Sequence, residues 1–286
     1  MTVTTIMTMS ETSPRSPDRS AIQRAASHAL QSRSVSVDQM NGHIYRTYRL
    51  ETAKGFFYIL KCRPSTSTRL IRLEESWLDG EAGALQSLGG RSDMHTPRLI
   101  QYTTSTESIG SSYLISGPFT GTIFSEIEPT LSRQALADVD RSLGQYVRRL
   151  SDLRGPEFGS IQRAQGVPSS GSWTKTFAFL LEAIMRDGED ALISLPYDGI
   201  RDLVRKHRGS LDKITQPKLT LLELASDENV IVDAGKLRVN GLLDYSTAIW
   251  GDPFMSDCFY KPTASFVEGY GRLPNKATDE RIRQYL

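Results

Sequence analysis

Residues 217–253 hold the most informative stretch of this sequence: Pro217-Lys-Leu-Thr-Leu-Leu-Glu-Leu-Ala-Ser-Asp-Glu-Asn-Val-Ile-Val-Asp233, then Gly241-Leu-Leu-Asp-Tyr-Ser-Thr-Ala-Ile-Trp-Gly-Asp-Pro253. The pattern predicts a polar loop that leaves an apolar run, followed by a hairpin that brings a second polar ligand, Asp244, beside Asn229. Two oxygen ligands at neighbouring strand ends suit Mg²⁺, which takes few protein ligands together with substrate phosphates. On spacing alone, structural roles explain the pattern equally well, with Asn229 capping a turn and Asp244 fixing a loop.

The overall composition is that of an ordinary globular chain. Of 286 residues, 34 are Lys or Arg and 33 are Asp or Glu, which gives a formal net charge of +1. This balance excludes binding of nucleic acid or anionic lipid through bulk charge, and no apolar run is long enough to span a bilayer. The two cysteines, Cys62 and Cys258, are too few for a disulfide framework. We therefore expect a cytoplasmic protein without nucleic-acid or membrane partners.

The N-terminal part of the sequence predicts a tail followed by a small β-rich lobe. Residues 1–20 are rich in Ser and Thr and lack aliphatic periodicity, so we expect a disordered tail. Residues 21–117 alternate between strand-like runs and a helix, which predicts a nucleotide-binding lobe with the order β-β-β-α-β-β. The predicted elements are a lead-in helix at 19–28, strands at 35–40, 44–51, 56–62, 98–103 and 112–116, and a helix at 74–88.

Residues 118–286 predict a mainly helical second lobe. Helical periodicity marks 131–153, 173–185 and 197–207, and two short β-rich runs follow at 230–232 and 237–243. The predicted fold class is therefore α+β with two lobes. The lobes would meet near residues 117–121, where a ligand cleft is expected.

A family resemblance fits this outline. The segment Leu242–Pro253 resembles the Ile-Asp-aromatic…Gly-Asp-Pro segment of the aminoglycoside phosphotransferase and choline kinase family, whose members have a two-lobed, protein-kinase-like fold. Ser151-Asp-Leu-Arg-Gly-Pro-Glu-Phe-Gly159 resembles the end of that family's long helix in the large lobe. The resemblance runs from about residue 35 to residue 253 and implies ATP- and Mg²⁺-dependent phosphate transfer to a hydroxyl of a small molecule.

The same resemblance implies a nucleotide site in the first lobe. Lys61 stands where the family has the Lys that binds ATP phosphates, and Glu81 stands where the family has the helix Glu that pairs with it. Tyr113-Leu-Ile-Ser-Gly-Pro-Phe119 resembles the hinge at adenine, with Ser116 and Pro118 as contacts. Without the resemblance, Lys61 and Glu81 are ordinary solvated residues, and an alternative partner for Lys61 comes from the pair Glu74 and Glu75.

The resemblance also makes Asn229 the catalytic-loop Asn and gives Asn229 and Asp244 to Mg²⁺, but the loop itself departs from the family pattern. The family has His-x-Asp with an Asn five residues later, and five residues before Asn229 stands Leu224, which cannot accept a proton. One inserted residue puts Glu223 at the base position, with Leu221 in place of the His. Asp227 is a third candidate, although its place beside Asn229 favours capping.

Two functions follow from these observations. The first is a small-molecule O-phosphotransferase that uses ATP and Mg²⁺, with Glu223 as the catalytic base, because phosphoryl transfer depends chiefly on positioning and charge stabilisation. The alternative is a catalytically degenerate kinase-fold protein, a pseudokinase that binds a nucleotide or metabolite as a scaffold or serves a non-phosphorylating reaction. Since the chain ends at Leu286, earlier than family members usually do, we expect an acceptor pocket that is abbreviated or completed by another chain.

Overall fold

The computed structural model describes residues 18–41, 44–65, 67–89, 94–161, 169–224, 226–272 and 282–283. Within these residues one antiparallel sheet builds the N-terminal lobe, and helices with two small sheets build the C-terminal lobe. The predicted α+β class is confirmed. Most of the predicted tail lies outside the described residues. No helix in the described part of the chain is long and apolar enough to cross a membrane.

The N-terminal lobe is built on a five-stranded antiparallel sheet. Its strands are β1 (Val35–Met40), β2 (Arg46–Thr52), β3 (Phe57–Cys62), β4 (Arg98–Thr103) and β5 (Tyr113–Phe119), in the spatial order β1-β2-β3-β5-β4. Because side chains alternate along a strand, β3 points Leu60 and Cys62 to one face of the sheet and Ile59 and Lys61 to the other. The second face is turned toward the C-terminal lobe.

A helix covers each face of this sheet. Helix α1 (Arg19–Ala29) begins at Asp18, whose carboxylate accepts a hydrogen bond from the Ser20 N–H. Its buried side chains Ile22 and Ala26 pack on the face that carries Leu60 and Cys62. Helix α2 (Trp77–Leu88) lies on the other side and follows a 3₁₀ turn at Glu74–Ser76. The single helix predicted over 74–88 is therefore two elements.

Strand β5 runs further than the sequence predicted. Gly117-Pro118 is typical of a turn, yet the strand continues through it to Phe119 and crosses the proposed lobe boundary. Gly117 has φ of +140°, and a Cβ there would lie 2.6 Å from the Tyr58 ring. The strand passes this point because glycine tolerates both the backbone angle and the close approach.

Helices make up most of the C-terminal lobe. Among the described residues, the α-helices with assigned bounds in this lobe are α3 (Phe124–Ile127), α4 (Arg133–Ser151), α5 (Trp173–Asp190), α6 (Tyr197–Lys206), α7 (Arg208–Leu211) and α8 (Ala264–Tyr270). Short 3₁₀ turns occur at Glu128–Thr130, Pro253–Met255 and Asp257–Phe259. The three long predicted helices thus correspond to α4, α5 and α6, and α5 continues five residues past its predicted end at Met185.

Two three-stranded sheets carry the loops of the C-terminal lobe. Their strands are β6 (Thr122–Ile123), β7 (Gly159–Ser160), β8 (Lys218–Leu221), β9 (Val230–Asp233), β10 (Arg238–Leu242) and β11 (Ala248–Gly251), in the orders β10-β9-β6 and β7-β11-β8. The predicted hairpin is the antiparallel pair β9 and β10, with Leu242 opposite Val230. This pairing brings the residues on either side of the hairpin, Asn229 and Asp244, together.

The link between β3 and α2 contacts the C-terminal lobe. The Arg72 guanidinium forms ion pairs with Asp187 and, at 2.6 Å, with Asp190 at the end of α5. The Arg72 N–H also donates to Asp187 Oδ2 at 3.0 Å. Leu73 packs beside the apolar cluster around Trp173. The link is therefore anchored on the C-terminal lobe by polar and apolar contacts.

Helices α4 and α8 approach each other through two glycines. A Cβ built on Gly144 would overlap the Phe266 carbonyl oxygen, and one built on Gly269 would overlap the Arg141 carbonyl oxygen. Since both obstacles are backbone atoms, no side-chain rotation can relieve the overlap. The close packing of these two helices therefore requires glycine at both positions.

We predict that Gly144→Ala lowers the free energy of unfolding by about 2 kcal/mol or more, because α8 must move away from α4. The matched control is Gly209→Ala, at an exposed position of helix α7 where a Cβ meets nothing within 4 Å. There alanine should raise helix stability by about 0.5–1 kcal/mol. Urea unfolding of both variants measures the difference. Equal midpoints for Gly144→Ala and the wild type would contradict the packing argument.

Candidate active site

A cleft of about 340 Å³ lies between the two lobes, within the size range of small-molecule sites. The N-terminal lobe supplies Lys61 from β3 and Glu81 from α2. The C-terminal lobe supplies Glu223 from the loop after β8, Asn229 at the start of β9, and Asp244 after β10. Five of the residues that the sequence analysis selected thus line one cavity.

The centre of this cleft is a single cation shared by two carboxylates. The Lys61 ammonium donates to Glu81 Oε1 at 2.8 Å and to Oε2 at 2.9 Å, and it lies 2.9 Å from Asp244 Oδ1. Lys61 and Glu81 are almost fully buried. Among the partners left open by the sequence, the structure pairs Lys61 with Glu81, whereas Glu74 Oε2 accepts the Ile71 N–H.

The pKa values of Lys61, Glu81 and Asp244 all differ from their usual values, and not in the same direction. Burial disfavours the charged form of Lys61, but Asp244 and Glu81 together outweigh it and raise the pKa of the ammonium. Burial raises the pKa of Glu81 to about 7 against the attraction of Lys61. Burial also acts on Asp244, yet Lys61 and Ser246 prevail and hold the pKa of this carboxyl below its usual value. Asp244 is therefore charged at neutral pH.

Asn229 and Asp244 are joined directly. Asn229 Oδ1 accepts the Asp244 N–H at 2.7 Å, and the Asn229 carbonyl accepts the Leu243 N–H at 2.8 Å. Asp244 Oδ1 in turn accepts the Ser246 N–H at 2.7 Å. The amide oxygen keeps a second lone pair, and the carboxylate carries a full charge, so the two groups fit a hard cation. Asn229 can cap the turn and Asp244 can anchor the loop while both also bind a cation, so the two explanations do not exclude each other.

The three candidates for the catalytic base are separated by their positions. Glu223 lines the cleft, and burial, followed by the charges of Asp257 and Asp244, raises its pKa. Leu224 is buried in the apolar core, and its aliphatic side chain has no atom that can accept a proton. The pKa of Asp227 is raised by burial and by two acidic groups, Glu128 and Asp140, and the residue is not among those that line the cleft. Of these candidates, Glu223 is therefore the carboxylate that lines the cleft together with Asp244.

Ser116 and Pro118 lie apart from this cavity. Ser116 is buried in β5 with strand partners on both sides, and its hydroxyl has no hydrogen-bond partner among the described residues. Pro118 is exposed and has no N–H, so its main chain offers a carbonyl alone. Next to them an apolar cluster fills the space between the lobes, with the rings of Phe57 and Phe119 stacked at 5.3 Å. Their contact with a nucleotide base stays a prediction.

Several further residues of the cleft escaped the sequence analysis. Trp77, Thr247 and Asp257 also line it. Thr247 lies in the segment after Asp244, and Asp257 follows the Gly-Asp-Pro motif, so both were within reach of motif analysis. Trp77 lies within the helix predicted over 74–88, where it is one of the apolar positions. Its place at the cleft depends on the angle at which α2 packs, which no local pattern encodes.

Comparison with known proteins gives this arrangement a context. A profile of the phosphotransferase enzyme family matches residues 40–256. No curated protein sequence gave a significant match.

Solved structures similar to this chain include three antibiotic phosphotransferases. A thermostable mutant of aminoglycoside phosphotransferase APH(4)-Ia is 16% identical, with a TM-score of 0.61 over 92% of this chain and 87% of that chain. Macrolide 2'-phosphotransferase MphH from Brachybacterium faecium is 16% identical, with a TM-score of 0.54 over 93% and 88%. The streptomycin–ATP–APH(2")-IIa ternary complex is 13% identical, with a TM-score of 0.55 over 91% and 85%. At these identities the similarity concerns the fold, and the predicted kinase-like fold is confirmed.

We predict that Lys61→Met lowers the free energy of unfolding by about 3–5 kcal/mol near neutral pH, because two carboxylates lose their shared cation. The pKa of Glu81 is raised to about 7, so stability that comes from a protonated Glu81 is present below the ordinary carboxyl pKa and is lost as pH rises through about 7. The loss in the variant should therefore be smaller near pH 5.

Urea unfolding at the two pH values measures this difference. The control is Lys236→Met, which removes an exposed ammonium paired with Asp233 and should leave the urea midpoint unchanged at both pH values. A Lys61→Met variant with the same loss at both pH values would contradict the shared-cation argument.

Proposed function

The chain belongs to the phosphotransferase enzyme family, and we propose that it transfers a phosphoryl group from ATP, with Mg²⁺, to a hydroxyl of a small molecule. The observation that carries this proposal is the Lys61 ammonium held between Glu81 and Asp244 in a cleft that Asn229 and Glu223 also line. A similar fold holds ATP and streptomycin in APH(2")-IIa. This supports a site for one nucleotide and one small acceptor between the lobes.

The residues of the cleft divide the work of such a reaction. Lys61 would bind phosphate oxygens while Glu81 keeps it in place, since charge stabilisation is the main requirement of phosphoryl transfer. Asn229 and Asp244 would hold Mg²⁺, whose positive charge would offset the negative charge of the phosphates. The phosphates would take the place of Asp244 at the Lys61 ammonium. The Asp244 carboxylate would then be available to bind Mg²⁺.

Glu223 would accept the proton of the acceptor hydroxyl. Its raised pKa makes it a stronger base than an ordinary carboxylate, and it faces the same cavity as Asp244. A general base typically contributes about 10²–10⁴ in rate. The phosphate and metal contacts alone would therefore leave a slower enzyme rather than none.

The second candidate is a nucleotide- or metabolite-binding scaffold without transfer activity. It is favoured by the two apolar residues of the catalytic loop, Leu221 and Leu224, which are buried in the core. The packed cluster at Phe57 and Phe119, where the base of a nucleotide is expected, points the same way. Binding of Mg²⁺ and ATP without transfer to any of a panel of hydroxyl compounds would decide for this candidate.

We also propose that the protein acts in the cytoplasm, without nucleic-acid or membrane partners. The proposal is supported by Cys62 and Cys258, which are buried thiols, since proteins of reducing compartments keep their cysteines reduced. The near-neutral net charge agrees with the absence of a polyanionic partner.

We predict that saturating Mg²⁺ and ATP raise the melting temperature of the wild type by roughly 5–10 °C, the shift that a ligand at about 100 times its Kd gives a protein of this size. Asp244→Asn should abolish the shift because the cation loses its charged ligand. Asp233→Asn, which changes an exposed turn carboxylate, should keep it. No shift in the wild type at millimolar nucleotide would overturn the proposed function.

We predict that Glu223→Gln lowers kcat by about 10²–10⁴ and leaves the melting-temperature shift by Mg²⁺ and ATP intact. In the wild type, kcat should fall as pH decreases through the raised pKa of Glu223, because the protonated carboxyl cannot accept a proton. The variant should lack this acid limb. Turnover against pH measures both effects, and an unchanged kcat would remove Glu223 from the base position.

A further inference from the structure

Thr247 connects the two loops that carry Glu223 and Asp244. Its hydroxyl accepts the Glu223 N–H at 3.2 Å and donates to the Glu223 carbonyl at 3.4 Å. Its own carbonyl accepts the Leu222 N–H at 3.3 Å. Thr247 is buried and stands three residues after Asp244. One side chain thus satisfies both polar main-chain groups of the proposed base.

We propose that Thr247 is a positioning residue that fixes the direction of the Glu223 side chain toward Asp244 and the acceptor. The proposal rests on the proposed function. A hydroxyl bonded to the N–H and the C=O of one residue restrains both peptide planes around its Cα, and those planes set the direction of the Cα–Cβ bond. Because Thr247 and Asp244 share one short segment, the hydroxyl ties the base to the residue that would hold the cation.

Asp257 holds the same loop from the other side. Its carboxylate oxygen Oδ1 accepts the Leu224 N–H at 2.8 Å, and its N–H donates to the Leu222 carbonyl at 3.0 Å. Asp257 thus hydrogen-bonds to the neighbours of Glu223, whereas Thr247 hydrogen-bonds to Glu223 itself. The charge of Asp257 also raises the pKa of Glu223. A substitution there would change position and proton affinity together, so Thr247 offers the cleaner test.

The loop needs this restraint because its side chains supply little of it. Leu221 and Leu224 pack in the core, and they anchor the ends of the loop without directing the residue between them. A displacement of about 1 Å at a reacting group can cost about a hundredfold in rate. A main-chain restraint at Glu223 would therefore determine how accurately the carboxylate of the proposed base is placed.

The test compares Thr247→Val with Thr247→Ser. Valine keeps the shape but loses the hydroxyl, so we expect kcat to fall roughly 10- to 100-fold with the acceptor KM changed less than about twofold. Serine keeps the hydroxyl and should restore kcat to within about threefold of the wild type. The matched control is Thr176→Val, since the buried Thr176 hydroxyl has no partner among the described residues and its loss should leave kcat unchanged.

A double variant distinguishes positioning from a general structural effect. If Thr247 acts through Glu223, Thr247→Val should lower kcat no further in a Glu223→Gln background. An equal loss in both backgrounds, or failure of serine to restore activity, would overturn the proposal. An unchanged kcat in Thr247→Val would overturn it as well.

Amide hydrogen exchange tests the contact without any need for activity. The Glu223 N–H should exchange faster in Thr247→Val than in the wild type and at the wild-type rate in Thr247→Ser, because serine keeps the acceptor oxygen. Equal exchange in all three proteins would overturn the positioning role. A wild type with slow exchange at Glu223 but no transfer activity would instead overturn the proposed function and leave Thr247 as a loop anchor.

Discussion

One buried ammonium between two carboxylates is the interaction on which the rest of this structure depends. Lys61 comes from the central strand of the first lobe, Glu81 from its helix α2, and Asp244 from the second lobe. Glu81 Oε1 also accepts the Tyr245 N–H at 3.4 Å, which adds a main-chain contact across the lobes. Lys61 and Glu81 are removed from water and Asp244 only in part, and buried charges are costly unless each is paired and hydrogen-bonded. The relative position of β3, α2 and the loop after β10 is therefore fixed by this cluster.

The same cluster explains why the site suits a cation. Two carboxylates and one ammonium leave a net charge of −1 when both carboxylates are ionised, and the pKa of Glu81 is raised to about 7 as a result of burial in this surrounding. A cation beside Asp244 would relieve that imbalance. The near-neutral protein as a whole contributes no such field. If the proposed function holds, the affinity for phosphates and metal would thus reside in these few groups of the cleft.

The sequence predicted those parts of the fold whose patterns are long. Strands β1 and β4 and the helices α4 to α6 have enough residues to show a period. Strands β6 and β7 have two residues each, which is too short for any period, and they form because their neighbours offer free main-chain edges. Strand β5 was predicted too short because the effect of Gly117 depends on the ring of Tyr58, a residue from another strand.

The site was predictable in its residue types but not in its pairings. Motif order was enough to select Lys61, Glu81 and Asp244, yet the choice of Glu81 over Glu74 depends on how α2 and the 3₁₀ turn before it pack against β3. Likewise, Glu223 and Asp227 are equivalent as carboxylates, and only the course of the loop brings the first into the cleft. Thr247 shows the same limit, since a threonine in a loop carries no sequence signal for the residue it will hydrogen-bond.

The contact of Arg72 with Asp187 and Asp190 has a mechanical consequence. It adds an attachment between the lobes to those made by the continuous chain after β5 and by the buried cluster at Lys61. Since the Arg72 pairs are exposed to solvent, dissolved ions weaken them far more than they weaken the buried cluster at Lys61. At high ionic strength the lobes should therefore lose their attachment at Arg72 while they keep the one at Lys61.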